Sequence, residues 1–180
     1  VEKCLKMIEN TYADVAKYQD ACGIALTEED ARRLKAEGKK AFFLGIENGY
    51  AIGKDIKNVK KFKDMGIQYM TLSHSYDNDI CNSSSHTEDA SKGLTAFGRK
   101  VVKEMNKVGM MIDVSHVSEG TFWDVIKYSK DPIFASHSSV KALCDHDRNL
   151  TDDQLRALAK NGGVIQICIY DGYLNNDAKI

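Results

Sequence analysis

The sequence predicts an α/β fold built on a parallel sheet. Short apolar runs alternate along the chain with amphipathic, helix-like segments. The runs AFFLGI, IQYMTLS, MMIDVS and VIQICIY are near-continuously apolar, as strands covered on both faces require. The segments between them carry helix start and stop signals, so successive strands should lie parallel and be joined by right-handed crossovers. A (β/α) barrel and an open doubly wound sheet both fit this pattern. No Gly-x-Gly-x-x-Gly loop follows any strand, which removes the main support for a dinucleotide site.

Residues 1–19 place Val1, Leu5, Ile8, Tyr12, Val15 and Ala16 on one stripe and read as an amphipathic helix. A short strand is expected at Ile24–Leu26. Thr27 opens the capping signal TEED for a helix running to Glu37, with Gly38 as its stop. Ala41–Ile46 is a strand that ends at Glu47. A helix over residues 55–65 buries Ile56, Val59 and Phe62 and stops at Gly66. Ile67–Ser73 is the next strand, ending at His74. The polar stretch Ser75–Lys92 reads as a long loop. Thr95 caps a helix stopped by Gly109, and Ser118 caps another. The strands Met110–Ser115 and Pro132–Ser136 end at His116 and His137. Thr151 opens a second capping signal, TDDQ, and Val164–Tyr170 is the last strand.

At 180 residues the chain can bury the core of one domain, and no Pro- or Gly-rich linker divides it. A formal net charge of -1 with no run of like charge argues against a general nucleic-acid or anionic-membrane surface. No apolar segment is long enough for a membrane-spanning helix. The five cysteines contain no C-x-x-C pair and are odd in number, so free thiols are expected, with the cytoplasm slightly favoured.

The candidate chemistry lies at the strand ends. Glu47, His74, His116 and His137 close four consecutive strands, and in a barrel all four would approach one mouth. Carboxylate oxygen and imidazole nitrogen are standard zinc ligands, and a carboxylate can bridge two ions. Arg148, in ALCDHDRNL, could hold a substrate carboxylate in a bidentate way. Asp113 faces away from His116 by strand alternation and could support a ligand from behind. His86 and His146 lie in polar loops and are expected to be solvated. Tyr170 and Tyr173 follow the last strand and could line a pocket.

These residues carry a resemblance to the renal (membrane) dipeptidase family of zinc peptidases. The matching motifs are LGIENGYAI around Glu47, YMTLSHS around His74, GLTAFGRKVVKEMNKVGMMIDVSHVS leading to His116, and PIFASHSSVKALCDHDRNL with His137 and Arg148. The resemblance implies a (β/α)8 barrel with a two-zinc centre and hydrolysis of dipeptides by a metal-bound hydroxide. It makes Glu47 the bridging carboxylate, with His116 and His137 as ligands of one ion. His74 would contact the substrate and the tetrahedral intermediate, Arg148 the substrate's terminal carboxylate, and Tyr173 the pocket. One departure stands out: the family's His-x-Asp motif, which holds the other ion, is nowhere in this sequence. The family's aspartate at the end of the last strand is also missing. The chain is therefore expected to be the central part of one barrel domain, about five of eight strands. Alone it should be inactive, hold at most one zinc ion weakly, and expose strand edges that favour self-association. The alternatives are a related metal hydrolase acting on a lactone, an amide or a β-lactam-like compound, and a non-catalytic piece of the fold with a partial metal site.

Overall fold

In a computed structural model of the chain, residues 1–87, 89–175 and 177 are described. Six α-helices and seven strands follow one another, β2 leading directly into β3: α1 (Glu2–Ala16), β1 (Cys22–Ile24), α2 (Glu28–Ala36), β2 (Lys40–Phe42), β3 (Leu44–Glu47), α3 (Lys57–Asp64), β4 (Ile67–Thr71), α4 (Ala96–Val108), β5 (Met111–Asp113), α5 (Glu119–Tyr128), β6 (Phe134–Ser138), α6 (Asp152–Lys160) and β7 (Val164–Ile167). The capping residues act as the sequence predicts. Thr27 and Thr151 each form a full capping box, and Thr95 and Ser118 accept from the third backbone N–H of their helices.

Strands β3 to β7 form a five-stranded parallel sheet in sequential order, and β1 and β2 form a separate parallel pair. The order never reverses. A doubly wound sheet must reverse at its switch point, so the open alternative falls and the winding is that of a (β/α) barrel. Helices α3 to α6 pack on one another in series. Their apolar stripes (Val59, Phe62, Val101, Val102, Met105, Phe122, Val125 and Leu158) meet Ile67, Met70, Ile112 and Ala135 of the sheet in one buried cluster.

The expected strand bounds shift throughout: Ile67–Ser73 ends at Thr71, Met110–Ser115 narrows to Met111–Asp113, and Pro132–Ser136 moves to Phe134–Ser138. The short strand is Cys22–Ile24 rather than Ile24–Leu26, because it pairs in register with Lys40–Phe42. The AFFLGI run breaks at Phe43 into β2 and β3, which serve different partners. The last strand stops at Ile167. Burial on both faces also fails in part. Met111, Val164 and Ile167 remain 48%, 59% and 51% exposed, while Ile112 is buried. The helices cover one face of the sheet and alternation sends Met111 and Val164 to the other, while β7, at the edge of the sheet, leaves Ile167 exposed as well.

The expected long loop after β4 is tied down. Ile80 and Cys81 are fully buried, and Cys81 and Ser83 form isolated bridges to Leu94 and Val117. Asn78 holds the loop by its side chain, which donates to Asn48 Oδ1 and the Leu72 carbonyl and accepts from the backbone N–H groups of Ile80 and Cys81. Gly98 lets α4 approach this loop, since a Cβ there would lie 2.0 Å from the Ile80 carbonyl oxygen. Glu88 lies outside the described residues.

Candidate metal centre

Glu47 ends β3, and the sheet register sets Glu47, Thr71 and Asp113 side by side across β3, β4 and β5. His74 and His116 each stand three residues past their strands, whereas His137 lies within β6. His116 takes a left-handed backbone, φ 68°, which costs a non-glycine residue about 1–3 kcal/mol. The loop holds it there: its carbonyl accepts from the Ser84 N–H at 2.8 Å, and the Ser83 hydroxyl, which donates to the His74 carbonyl, lies 3.2 Å away.

The ring nitrogens converge. His116 Nε2 is 2.8 Å from His137 Nε2, and each lies 3.2 Å from Glu47 Oε1. Three ligand atoms at a tetrahedral zinc ion, with arms of about 2.0–2.1 Å, stand about 3.3 Å apart. The triangle has that size, and its donors, two imidazoles and a carboxylate, suit such an ion. His74 Nε2 is 3.8 Å from Glu47 Oε1, and its ring stacks on His116 at 4.2 Å. Glu47, His74 and His116 thus make a second, wider group whose ligand atoms all lie within 4.8 Å of one another. The tighter triangle with His137 fits a single ion better. His74 borders it from the side.

Burial is the main reason that the His116 pKa is pushed down to about 2, with Arg148 and the neighbouring histidines adding to the effect. His116 is therefore neutral, as a ligand must be. Its Nδ1 has no hydrogen-bond partner among the described residues.

Arg148, 4% exposed, is not the surface arginine that its polar context would allow. Its Nη2 donates to the His137 carbonyl at 3.0 Å, its Cζ lies 5.5 Å from the Tyr173 ring centre, and its Nε has no partner among the described residues. Burial lowers its pKa, opposed chiefly by Tyr173. Tyr173 also packs against Tyr170 and His146, and its carbonyl accepts from Asn149. His86 stacks on Tyr76, and His146 Nδ1 accepts from the Arg148 N–H, so neither is simply solvated.

Asp113, expected to support a ligand from behind, reaches His137 through the Ser136 hydroxyl. Fully buried, it accepts from the Thr71 and Ser136 hydroxyls and from the backbone N–H groups of Ser115 and Ser136. Ser136 Oγ is 2.7 Å from His137 Nδ1. Sequence reasoning missed Thr71, Ser115 and Ser136. The signal was the serine next to each strand-end histidine, which looks like ordinary loop polarity until the register is known.

The sequence profile described as "Membrane dipeptidase (Peptidase family M19)" matches residues 1–180. The Schizosaccharomyces pombe protein named "Uncharacterized dipeptidase C965.12" is 34% identical over 177 residues, 97% of this chain and 42% of its own length. A solved structure titled as dipeptidase AC, a metallopeptidase of family M19, superposes with a TM-score of 0.91 at 26% identity, over 97% of this chain and 53% of its own. A metallopeptidase from Rhodobacter sphaeroides, solved with a phosphinate mimic of the dipeptide L-Ala-D-Ala, gives 0.90 at 26% identity, over 96% and 50%. The chain thus spans about half the length of these relatives. Sequential winding, a strand-end cluster of histidines around one glutamate, and a profile match along the whole chain agree: the chain belongs to the membrane dipeptidase family of metallopeptidases, M19.

Proposed function

We propose that residues 1–180 supply the central part of a single barrel domain in a zinc-dependent dipeptidase. The carrying observation is the triangle of Glu47 Oε1, His116 Nε2 and His137 Nε2, with edges of 2.8, 3.2 and 3.2 Å. In this reading these three residues hold zinc, and Glu47, half exposed and within reach of His74, is placed to share a second ion. When bound, zinc polarises a carbonyl and makes water a nucleophile at neutral pH. The chain's own residues do the rest. His74 Nδ1 bonds to the Ser75 hydroxyl at 3.0 Å, which leaves Nε2 facing the mouth for the substrate. Arg148, whose Nε has no partner among the described residues, holds the dipeptide's terminal carboxylate, and Tyr173 backs the guanidinium.

The test uses the full-length protein: zinc content and hydrolysis of a dipeptide panel, including dipeptides with a D-residue at the C-terminus. Hydrolysis that is lost on chelation and restored by zinc is expected, with Glu47→Gln lowering bound zinc. A zinc-loaded protein that cleaves no dipeptide but opens lactones or β-lactams would move the assignment to another hydrolase.

A further inference from the structure

We infer that Asp113 and Ser136 form a one-way hydrogen-bond relay that fixes His137 as its Nδ1–H tautomer and so aims the Nε2 lone pair into the site. The inference rests on the reading that His137 holds a metal ion. The direction follows from counting protons. As a carboxylate, Asp113 only accepts. Ser136 Oγ lies 2.6 Å from Asp113 Oδ2, so its single proton goes there. Towards His137 Nδ1, 2.7 Å away, the same oxygen can only accept, and the ring must supply the hydrogen. Nε2 is left bare, pointing at His116 Nε2 and Glu47 Oε1.

The surroundings leave Asp113 no freedom to turn. Oδ1 accepts from the backbone N–H groups of Ser115 at 3.0 Å and Ser136 at 2.9 Å, and Oδ2 takes the Thr71 hydroxyl at 2.6 Å as well. This makes Asp113→Asn a polarity switch. The asparagine carbonyl must stay on the two backbone donors, so its amide faces Ser136 and Thr71. The amide then donates to Ser136 Oγ, the hydroxyl proton turns to His137 Nδ1, and the ring takes the Nε2–H form. That form offers no lone pair to a metal. Asp113 and Ser136 are thus positioning residues, acting through His137.

Nitrogen-15 NMR of the histidine rings in the metal-free full chain, near pH 8.5 where an ordinary imidazole is neutral, reads the tautomer directly. His137 as Nδ1–H is expected in the parent, and as Nε2–H in Asp113→Asn. Zinc affinity should fall about 10- to 100-fold in that variant, the usual effect of losing a ligand's outer partner. Should Asp113→Asn not fold, Ser136→Ala should lose the fixed preference and the affinity, and Ser136→Thr, which keeps the hydroxyl, should restore both. Nε2–H in the parent, or a folded Asp113→Asn with the tautomer unchanged, or Ser136→Ala matching the parent in both readouts, would overturn the relay. Tautomers as stated in a protein that takes up no zinc would support the relay and refute the metal reading separately.

Discussion

Replacing Asn78 by Ala should loosen the loop that shapes the metal centre. The Asn78 side chain makes hydrogen bonds of 3.0 Å to Asn48 Oδ1, 2.9 Å to the Leu72 carbonyl, and 2.8 and 3.1 Å from the Ile80 and Cys81 N–H groups. Asn48 follows Glu47 and Leu72 comes two residues before His74, so this one amide ties both strand ends to the loop. Asn48 Oδ1 would keep its bond from the Tyr50 N–H. The Ile80 and Cys81 donors would lose theirs beneath side chains that are 1% and 0% exposed. At about 1–3 kcal/mol for each stranded buried donor, the loss is about 3 kcal/mol. With a urea slope of about 2 kcal/mol/M, the unfolding midpoint should fall by about 1.5 M. Asn78→Asp, equal in shape, should do no better, because it sets a carboxylate oxygen against the Leu72 carbonyl and Asn48 Oδ1. Urea unfolding followed by circular dichroism measures both variants, and proteolysis within residues 75–92 should quicken in each. A midpoint shift below about 0.3 M for Asn78→Ala would show that the loop is held by apolar burial and not by this amide.

Three further outcomes follow from burial and charge. The Cys81 thiol, pushed up to about 12 by burial, should stay protonated and resist alkylation at pH 8 while the half-buried Cys22 and Cys168 react; native-state labelling of Cys81 as fast as Cys22 would contradict this. Because an unfolded thiol ionises from about pH 8.5, this group's contribution to stability is complete below that pH and declines as pH rises towards 12. On the proposed function, Arg148→Lys in the full-length protein should raise KM for dipeptides about 10- to 100-fold with a smaller effect on kcat, since one charged hydrogen bond is worth about 1.5–3 kcal/mol; an unchanged KM would remove Arg148 from carboxylate binding.

The winding of the fold was legible because local signals agree with it. TEED and TDDQ read as capping boxes and form them, and Gly38, Gly66 and Gly109 take the positive φ that helix stops need. Glu47, His74, His116 and His137 were legible because each closes an apolar run. What stayed hidden depends on register and on three-dimensional paths. That AFFLGI serves two partners is decided by which strands lie beside it. The loop's order depends on Asn78, whose partners Asn48 and Leu72 are 30 and 6 residues away. Asp113 shows the limit best. It was readable as a support behind some ligand, but that it acts on His137, through a serine 23 residues on, follows only from the pairing of β5 with β6.

That placement bears on why a carboxylate is buried here at all. A charge fully removed from water is expensive, and a well-packed apolar residue often stabilises a core as well as a satisfied ionic one. Asp113 offsets its burial with two hydroxyl and two backbone donors drawn from β4, β6 and the turn after β5. An apolar residue could fill the same space and hold the strands together. It could not fix which way the Ser136 proton points, and a neutral amide would fix it the wrong way. Stability alone therefore does not select aspartate at this position. The requirement for a bare Nε2 on His137 does, and the same requirement explains why Ser136, rather than alanine, precedes that histidine.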